Sequence, residues 1–130
     1  MSPYEALRAL GQRYARAADA RDVTALAELF HPEAEITGMR GPQSLDQWLD
    51  TMRGPRAFPT SMHVLGEPLI ILSASEDRAT VDTYAVVYQL SDPATDNADL
   101  TLGIRYLDEV VCDEGTWLIR RRTAHTVWMR

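Results

Sequence analysis

The pattern of the sequence changes at Thr60, and this change limits the folds that the chain can adopt. Before Thr60, apolar residues recur every three or four positions, which predicts helices with one buried face. After Thr60, β-branched and aromatic residues dominate and turn residues return about every dozen positions, which predicts strands joined by hairpins. Helices followed by a long antiparallel sheet indicate an α+β fold.

The first helix is predicted to begin with Ser2 as its N-cap. Pro3 then takes the first helical position, and Glu5 follows the cap by three residues, as in a capping box. One apolar stripe follows, which predicts the buried face of this helix. The stripe contains Tyr4, Leu7, Leu10, Tyr14, Ala17 and Ala18.

Two further helices are predicted before Thr60. Asp22 is expected to cap a short second helix that ends at His31, because the residue before a proline avoids the helical conformation. The third helix is expected to begin at Pro42 or Ser44 and to end before Gly54. The predicted strands are Ala34 to Thr37, Thr60 to Ala74, Arg78 to Leu90, Ala98 to Cys112 and Thr116 to Met129.

A single domain, residues 1–130, is expected from the length of the chain. A strongly twisted antiparallel sheet that curls around the amphipathic helices forms a cone with an apolar interior. Such a cavity is a natural site for a small molecule, and polar side chains that point into it are the candidates for chemistry.

The composition excludes several classes of mechanism. All 13 basic residues are arginine, so Schiff-base and pyridoxal-phosphate enzymes and lysine-bearing phosphate loops are excluded. The single cysteine, Cys112, excludes disulfides within the chain and multi-cysteine zinc sites. We therefore expect chemistry by carboxylates, imidazoles, hydroxyls and arginine, without a cofactor.

Charge and hydropathy limit the partners. The net charge of −6 repels phosphate backbones, and residues 120–122 are too few arginines for a basic face, so nucleic acid is not an expected partner. No apolar run approaches the ~18 residues that a membrane span needs, so no membrane partner is expected. Residues 1–5 lack the features of a secretory signal, which predicts a cytoplasmic protein.

Tyr14 and Asp19 are candidates for chemistry near the end of the first helix. In a regular helix they lie about 140° apart, and Asp19 can turn toward the cavity if the helix loosens at Ala20. The alternative is that Tyr14 belongs only to the buried stripe and that Asp19 is a solvated carboxylate.

His63 is the candidate base. Alternation places it on one face of its strand together with Ser61 and Leu65. A carboxylate against a histidine forms an acid/base pair, in which the carboxylate orients the ring and raises its basicity. The alternative is an ordinary core or surface histidine.

The other two histidines are weaker candidates. His31 is most simply a cation at a helix end, and His125 can face either side of the last strand. No pair of histidines has the i, i+4 spacing of helical metal ligands, so no metal site is expected.

The late arginines, Arg105 and residues 120–122, lie on the last two strands. Because consecutive strand residues alternate between faces, Arg121 points opposite to its neighbours, and at least one guanidinium is buried, paired or at a rim. Ion pairs with Asp82, Asp108 or Glu109 are the expected explanation.

These features together resemble the SnoaL-like branch of the nuclear transport factor 2-like superfamily, over about Ala6 to Trp128. The motifs that carry the resemblance keep the family's order and spacing. They are Tyr14 to Asp22, Leu26 to Glu35, Met62 to Pro68, Ala79 to Tyr84, Gly103 to Glu109 and Gly115 to Arg122.

Within that superfamily the chain is similar to cofactor-free dehydratases, namely scytalone dehydratase and bile-acid 7α-dehydratase, and more distantly to hexachlorocyclohexane dehydrochlorinase. The resemblance implies a proton-shuttling site in which His63 is the base, Asp19 orients it, and Tyr14 polarises a carbonyl or assists a leaving hydroxyl. The chain departs from these enzymes at two positions. The second histidine of scytalone dehydratase falls near Leu102, where this chain has no histidine. The late arginine of the bile-acid enzyme falls near Thr126, where His125 is the nearest ionisable residue. The further residues expected to contact substrate are Arg105, Tyr84, His125, Trp128 and Trp48.

The sequence therefore predicts a cofactor-independent enzyme of the lyase, isomerase or cyclase type. Its expected substrate is a small, largely apolar hydroxy- or keto-compound. The first alternative is a ligand-binding or accessory protein with the same cavity but without catalysis. The second is an oligomeric structural subunit. The resemblance also implies a homodimer that forms through the exposed face of the sheet.

Overall fold

Three helices and one seven-stranded sheet make up the fold, in a computed structural model that describes residues 1–130. The helices are α1 (Pro3–Ala20), α2 (Val23–Ala27) and α3 (Leu45–Arg53). The strands are β1 (Phe30–Gly38), β2 (Gly41–Ser44), β3 (Thr60–Leu65), β4 (Leu69–Leu72), β5 (Arg78–Leu90), β6 (Leu100–Asp113) and β7 (Thr116–Met129). The predicted α+β fold is confirmed.

Side-chain caps begin the helices where the sequence predicts. Ser2 Oγ accepts a 3.2 Å hydrogen bond from the Glu5 backbone N–H, and an Asp22 carboxylate oxygen accepts one of 3.1 Å from Ala25. Ser44 and Gln47 form a reciprocal capping box, so α3 begins after Ser44. The alternative start at Pro42 is wrong, since Pro42 lies in β2.

The predicted end of α2 at His31 is also wrong. α2 ends at Ala27, and His31 lies in β1. The Leu29 carbonyl accepts a 2.9 Å hydrogen bond from the Ile119 backbone N–H, and Phe30 pairs with Ile119 in the parallel ladder between β1 and β7. Long-range pairing therefore replaces the local helix one turn before the proline.

The sheet has the strand order β2-β1-β7-β6-β5-β3, and β4 also pairs with β5. Only the β1 to β7 pairing is parallel, and all other pairs are antiparallel. The sheet is strongly curved but not closed, and its concave face packs against α1 and α3. This arrangement is the predicted cone.

The single predicted strand from Thr60 to Ala74 is divided into β3 and β4. Gly66 leaves the strand direction, and its N–H donates a 2.7 Å hydrogen bond to the Tyr84 carbonyl. Pro68 has no N–H to continue a ladder. As a result β3 and β4 pair with successive parts of β5. The predicted bounds of β5 and β7 are confirmed, and β6 begins at Leu100 instead of Ala98.

One apolar core lies between the helices and the concave face of the sheet. Its most deeply buried residues come from all parts of the chain, which joins the helical and the sheet halves into one unit. These residues are Leu7, Leu26, Leu29, Val87, Val110 and Ile119. No helix is both long and apolar enough to cross a membrane.

Candidate functional site

A cavity of about 510 Å³ lies between α1, α3 and the concave face of the sheet. Its buried end contains Tyr14, Tyr106 and Arg122, and its exposed rim contains Met39 and Arg40. A volume of this size suits a small organic molecule. The remaining wall is largely apolar, with Ala18, Ile36, Trp48, Met52, Val87, Leu102, Ile104 and Ala124.

Asp19 and His63 are in contact at this cavity. Asp19 Oδ1 lies 2.6 Å from His63 Nδ1, and Asp19 Oδ2 accepts a 3.0 Å hydrogen bond from the His63 backbone N–H. Ser61 Oγ donates a further hydrogen bond of 2.9 Å to Asp19 Oδ1. Three donors therefore fix the carboxylate, and the carboxylate fixes the orientation of the ring.

The elements bring this pair together without any loosening of the helix. α1 remains helical to Ala20, and only Arg21 leaves it, in a left-handed conformation with φ of 52°. β3 packs along α1, so the imidazole on β3 contacts Asp19 and also the Tyr14 ring, whose centroid lies 5.8 Å away. Asp19 therefore reaches the cavity from a regular helix, and no loosening at Ala20 is needed. The Asp19 side chain is only 24% exposed and is not a solvated carboxylate.

His63 is held in its neutral form. Burial lowers the pKa of His63 from its ordinary value of 6.5, against the opposing hydrogen bond and charge of Asp19, and the charge of Arg122 lowers it further. Because the carboxylate of Asp19 accepts, Nδ1 carries the ring hydrogen and Nε2 keeps its lone pair. No protein group hydrogen-bonds to Nε2, so this nitrogen is available as a base.

Three aromatic rings surround the imidazole side of the cavity. Tyr14 stacks on Trp48 with a centroid distance of 6.5 Å and meets Tyr106 edge-on at 5.6 Å. Burial raises the pKa of Tyr106 well above its usual value, and the neighbouring Tyr14 adds to the rise. Tyr106 therefore stays a neutral hydrogen-bond donor at physiological pH. Tyr14 and Trp48 both line the cavity.

Arg122 supplies a buried positive charge beside these rings. Its Nε and Nη2 each donate a 2.8 Å hydrogen bond to the Asp108 carboxylate. Its guanidinium carbon lies 4.0 Å from the Tyr14 ring centroid and 4.5 Å from that of Tyr106. Nη1 is buried and has no protein partner. Burial opposes the charge, but Asp108 and the two tyrosines outweigh it and raise the pKa of Arg122.

The remaining four residues expected to contact substrate lie outside the cavity. Tyr84 pairs across the ladder with Arg105, and Arg105 pairs with His125, so the three share one face of the sheet. That face is the convex one, because Ile104 and Tyr106, the neighbours of Arg105 in β6, line the cavity. Trp128 is 41% exposed and also lies on the convex face. Placement of these four residues in the cavity was wrong.

Ion pairs account for three of the late arginines, as predicted. Arg105 pairs with Asp82 on the convex face, Arg121 contacts Glu109, and Arg122 pairs with Asp108. Of these three, only Arg122 also reaches the cavity.

Sequence reasoning did not assign a site role to Ser61 or Arg122. The signal for Ser61 was present, since alternation puts it on the same strand face as His63. For Arg122, alternation separated the residues of the last strand into two faces but did not indicate which face lines the cavity. The set of Arg122, Ala124 and Thr126 faces the cavity. The cavity wall contains one histidine and no Asp, Glu or Cys, and no cluster in the protein could hold a metal ion.

A family model described as "SnoaL-like domain" matches residues 1–123 of the chain. No curated protein sequence is significantly similar to it. Among solved structures, in contrast, 357 chains are significantly similar to this protein in fold.

Three of these structures illustrate the likeness. A proposed scytalone dehydratase from Novosphingobium aromaticivorans is 22% identical, with a TM-score of 0.86 over 97% of this chain and 85% of that one. Hexachlorocyclohexane dehydrochlorinase LinA-type3 from Novosphingobium barchaimii is 15% identical, with a TM-score of 0.83 over 97% and 87%. A cystatin-like protein from Nostoc punctiforme is 18% identical, with a TM-score of 0.74 over 93% and 88%. At these identities the likeness establishes the fold.

Proposed function

The chain belongs to the SnoaL-like domain family, and on that premise we propose that it is a cofactor-independent acid/base enzyme. The observation that carries this proposal is the 2.6 Å contact between Asp19 Oδ1 and His63 Nδ1, which directs Nε2 away from the carboxylate at the wall of a cavity. A neutral, oriented imidazole at the wall of a cavity is suited to removing a proton from a bound substrate.

The reaction that fits is elimination or isomerisation. His63 Nε2 takes a proton from a carbon next to a carbonyl, and the electron pair of the broken C–H bond forms a carbon–carbon double bond. In an elimination the hydroxyl on the next carbon leaves, and the imidazolium returns its proton to it as water. In an isomerisation the proton returns to a different carbon. The protein ends each cycle in its starting protonation state.

Asp19 serves this chemistry as an orienting and stabilising group. Its carboxylate keeps Nδ1 protonated before the reaction and faces the imidazolium that forms during it. Hydrogen bonds from Ser61 Oγ and the His63 backbone N–H keep the carboxylate in place. A fixed partner lowers the cost of charging a buried ring.

Tyr14 and Arg122 are suited to the negative charge that develops on the substrate. Both line the cavity, and the Arg122 guanidinium packs on the Tyr14 ring. Of the three guanidinium nitrogens of Arg122, only Nη1 has no hydrogen-bonded partner in the protein. A hydroxyl or an N–H donor beside an enolate or a leaving oxygen stabilises the transition state.

The substrate class follows from the wall. Aliphatic and aromatic side chains form most of the cavity, and its volume of about 510 Å³ accommodates a compound of one or a few rings. We therefore propose a largely apolar hydroxy- or keto-compound. Two of the solved structures carry the names of a dehydratase and a dehydrochlorinase, which denote eliminations and favour that reaction type.

We also propose that the protein forms a homodimer through the convex face of its sheet. Large apolar side chains on this face are between 37% and 64% exposed. Single exposed apolar residues are common, but a group of them on one face marks an interaction site. A second copy would cover them. They are Met62, Val64, Leu69, Ile71, Tyr84, Tyr88, Leu107, Val127 and Trp128.

A turnover assay tests the catalytic proposal. Wild-type protein is incubated with a panel of cyclic and aryl β-hydroxy ketones, and enone formation is followed by ultraviolet absorbance. We expect turnover of at least one compound, its loss in His63→Gln, and its retention in the control His31→Asn, which alters a histidine in β1. Equal turnover by wild type and His63→Gln would reject the proposal. Binding without turnover by wild type would favour a ligand-binding protein.

A further inference from the structure

The wall of the cavity has an unbalanced charge. Three arginines line it, Arg21, Arg40 and Arg122, and no carboxylate does. The whole chain has the opposite balance, with 19 acidic and 13 basic residues. Asp108 neutralises Arg122. The Asp19 carboxylate, which bonds to the wall residues Ser61 and His63, offsets one further positive charge. Arg21 and Arg40 take part in no ion pair, so the three guanidinium groups outnumber the two carboxylates beside the cavity.

Arg21 occupies a backbone position that favours glycine. It follows α1 in the left-handed conformation, with φ of 52° and ψ of 38°, while its N–H caps the helix. Glycine or asparagine is the usual residue there, and arginine offers no advantage to the cap itself. The presence of an arginine side chain at position 21 therefore needs an explanation other than helix capping.

The Arg21 guanidinium is held at the cavity with most of its donors free. Nη1 donates a 3.2 Å hydrogen bond to the Met52 carbonyl on α3 and lies 3.8 Å from the Met52 sulfur. No protein group accepts from its Nε or Nη2. Partial burial lowers the pKa of Arg21, and the nearby charge of Arg56 lowers it further. An anion bound there would relieve this repulsion.

Arg40 adds a second guanidinium from a different element. It lies in the tight turn between β1 and β2, is exposed, and has no hydrogen-bonded partner on its side chain. Its neighbour Met39 is 74% exposed. Arg40 therefore belongs to the solvent side of the cavity, whereas Arg122 belongs to the buried end.

We propose that the substrate carries an oxyanion, in the simplest case a carboxylate, which Arg21 and Arg40 bind at the rim of the cavity. Two guanidinium groups with free N–H donors suit a group with two or more oxygens. The apolar part of the molecule then lies against Ile36, Val87 and Leu102, with its reacting carbon at His63. That the bound anion is a substrate rests on the proposed function, but the binding of the anion does not depend on catalysis.

Calorimetry with a matched pair of probes tests the inference. The probes are 4-phenylbutanoate and its neutral analogue 4-phenylbutanamide, which have the same shape and differ in charge. We expect wild-type protein to bind the acid about tenfold more tightly than the amide. Arg21→Gln and Arg40→Gln should each reduce this preference, and the double variant should abolish it.

Arg16→Gln is the control variant. Arg16 lies on the same helix as the cavity residue Tyr14, points to solvent, and bonds only to Gln12. Its replacement removes the same charge from the chain, so the preference for the acid should persist. Circular dichroism verifies that every variant is folded. Equal affinity for acid and amide in wild type, an unchanged preference in the double variant, or no binding of the acid at about 10 mM would each overturn the inference.

The same titrations in His63→Gln separate this inference from the proposed function. The preference for the acid should survive, because the imidazole does not contact the anion. If the preference survives but turnover never depends on His63, the proposed function fails and the anion site stands. If His63-dependent turnover is found and acid and amide bind alike, the inference fails alone.

Discussion

Asp19 Oδ1 lies 2.6 Å from His63 Nδ1, although 44 positions separate the two residues in the chain. The last full turn of α1 supplies the carboxylate, and the middle of β3 supplies the ring. Their contact converts two ordinary side chains into an oriented base.

The pH dependence of activity should follow His63. Burial lowers its pKa below the ordinary 6.5, so kcat/KM should rise with pH, reach half its maximum below pH 6.5, and stay level through neutrality. A nuclear magnetic resonance titration of the ring should give the same midpoint. A midpoint above 6.5 by either method would contradict the assignment of a neutral buried base.

The stability of the fold should change over the same range with a definite sign. Below pH 6.5 the unfolded chain binds a proton at His63 while the folded chain resists it. The free energy of unfolding should therefore fall as the pH drops through this range and be independent of this group above it. The difference in urea stability between wild type and His63→Gln, measured from pH 5 to pH 8, isolates the contribution.

Ser61→Ala should lower turnover without unfolding the protein. The change removes the 2.9 Å hydrogen bond to Asp19 Oδ1 and loosens the carboxylate that orients His63. We expect kcat/KM to fall about tenfold, as for the loss of one hydrogen bond to a charged group. Ser75→Ala is the matched control, since it removes a hydroxyl-to-carboxylate bond of 2.6 Å to Asp77 in a distant turn. Equal effects of the two changes would contradict the prediction.

Arg122→Met should destabilise the protein by about 3–5 kcal/mol, because it leaves the Asp108 carboxylate buried without its partner. The double variant Arg122→Met/Asp108→Leu should recover most of that loss, since it removes both charges. If Arg122 also acts on the substrate, turnover should stay low in the double variant. Urea denaturation and kcat/KM measure the two effects, and recovery of both together would assign Arg122 a structural role alone.

Tyr84→Asp should convert the proposed homodimer into a monomer. Tyr84 is 62% exposed on the convex face, and a carboxylate there would be buried against a second copy. Tyr4→Asp is the matched control, because Tyr4 is 46% exposed on α1, away from the sheet. Light scattering after gel filtration gives the masses. A monomeric wild type, or a dimer that persists in Tyr84→Asp, would contradict this interface.

Local patterns predicted most of the fold. β5 and β7 have the expected bounds because polar turns delimit them. The prediction of one continuous strand from Thr60 is wrong at Gly66, because the Gly66 N–H donates a hydrogen bond to the Tyr84 carbonyl on another strand. The predicted end of α2 is wrong for the same reason, since the Leu29 carbonyl accepts a hydrogen bond from the Ile119 backbone N–H. Both errors arise from hydrogen bonds between residues that are distant in sequence, which local patterns do not contain.

The site was predicted less completely. Asp19, His63 and Tyr14 were candidates from their residue types and positions, a family resemblance implied their roles, and the structure brings all three together. Arg105 was placed in the cavity because alternation divides a strand into two faces without indicating which face is concave. That choice depends on the curvature of the whole sheet and on the bulges in the β6 to β7 ladder, and it assigns Arg122 to the cavity instead.

Deuterium exchange tests the central claim most directly, because it detects proton transfer at His63 whatever the final product. Wild-type protein and His63→Gln are incubated in D2O with the panel of β-hydroxy ketones and the corresponding ketones, and mass spectrometry follows deuterium next to the carbonyl. The account predicts incorporation by wild type at a rate well above the uncatalysed one, and none above that rate with His63→Gln. Equal incorporation by the two proteins, or none by wild type with any compound, would contradict it.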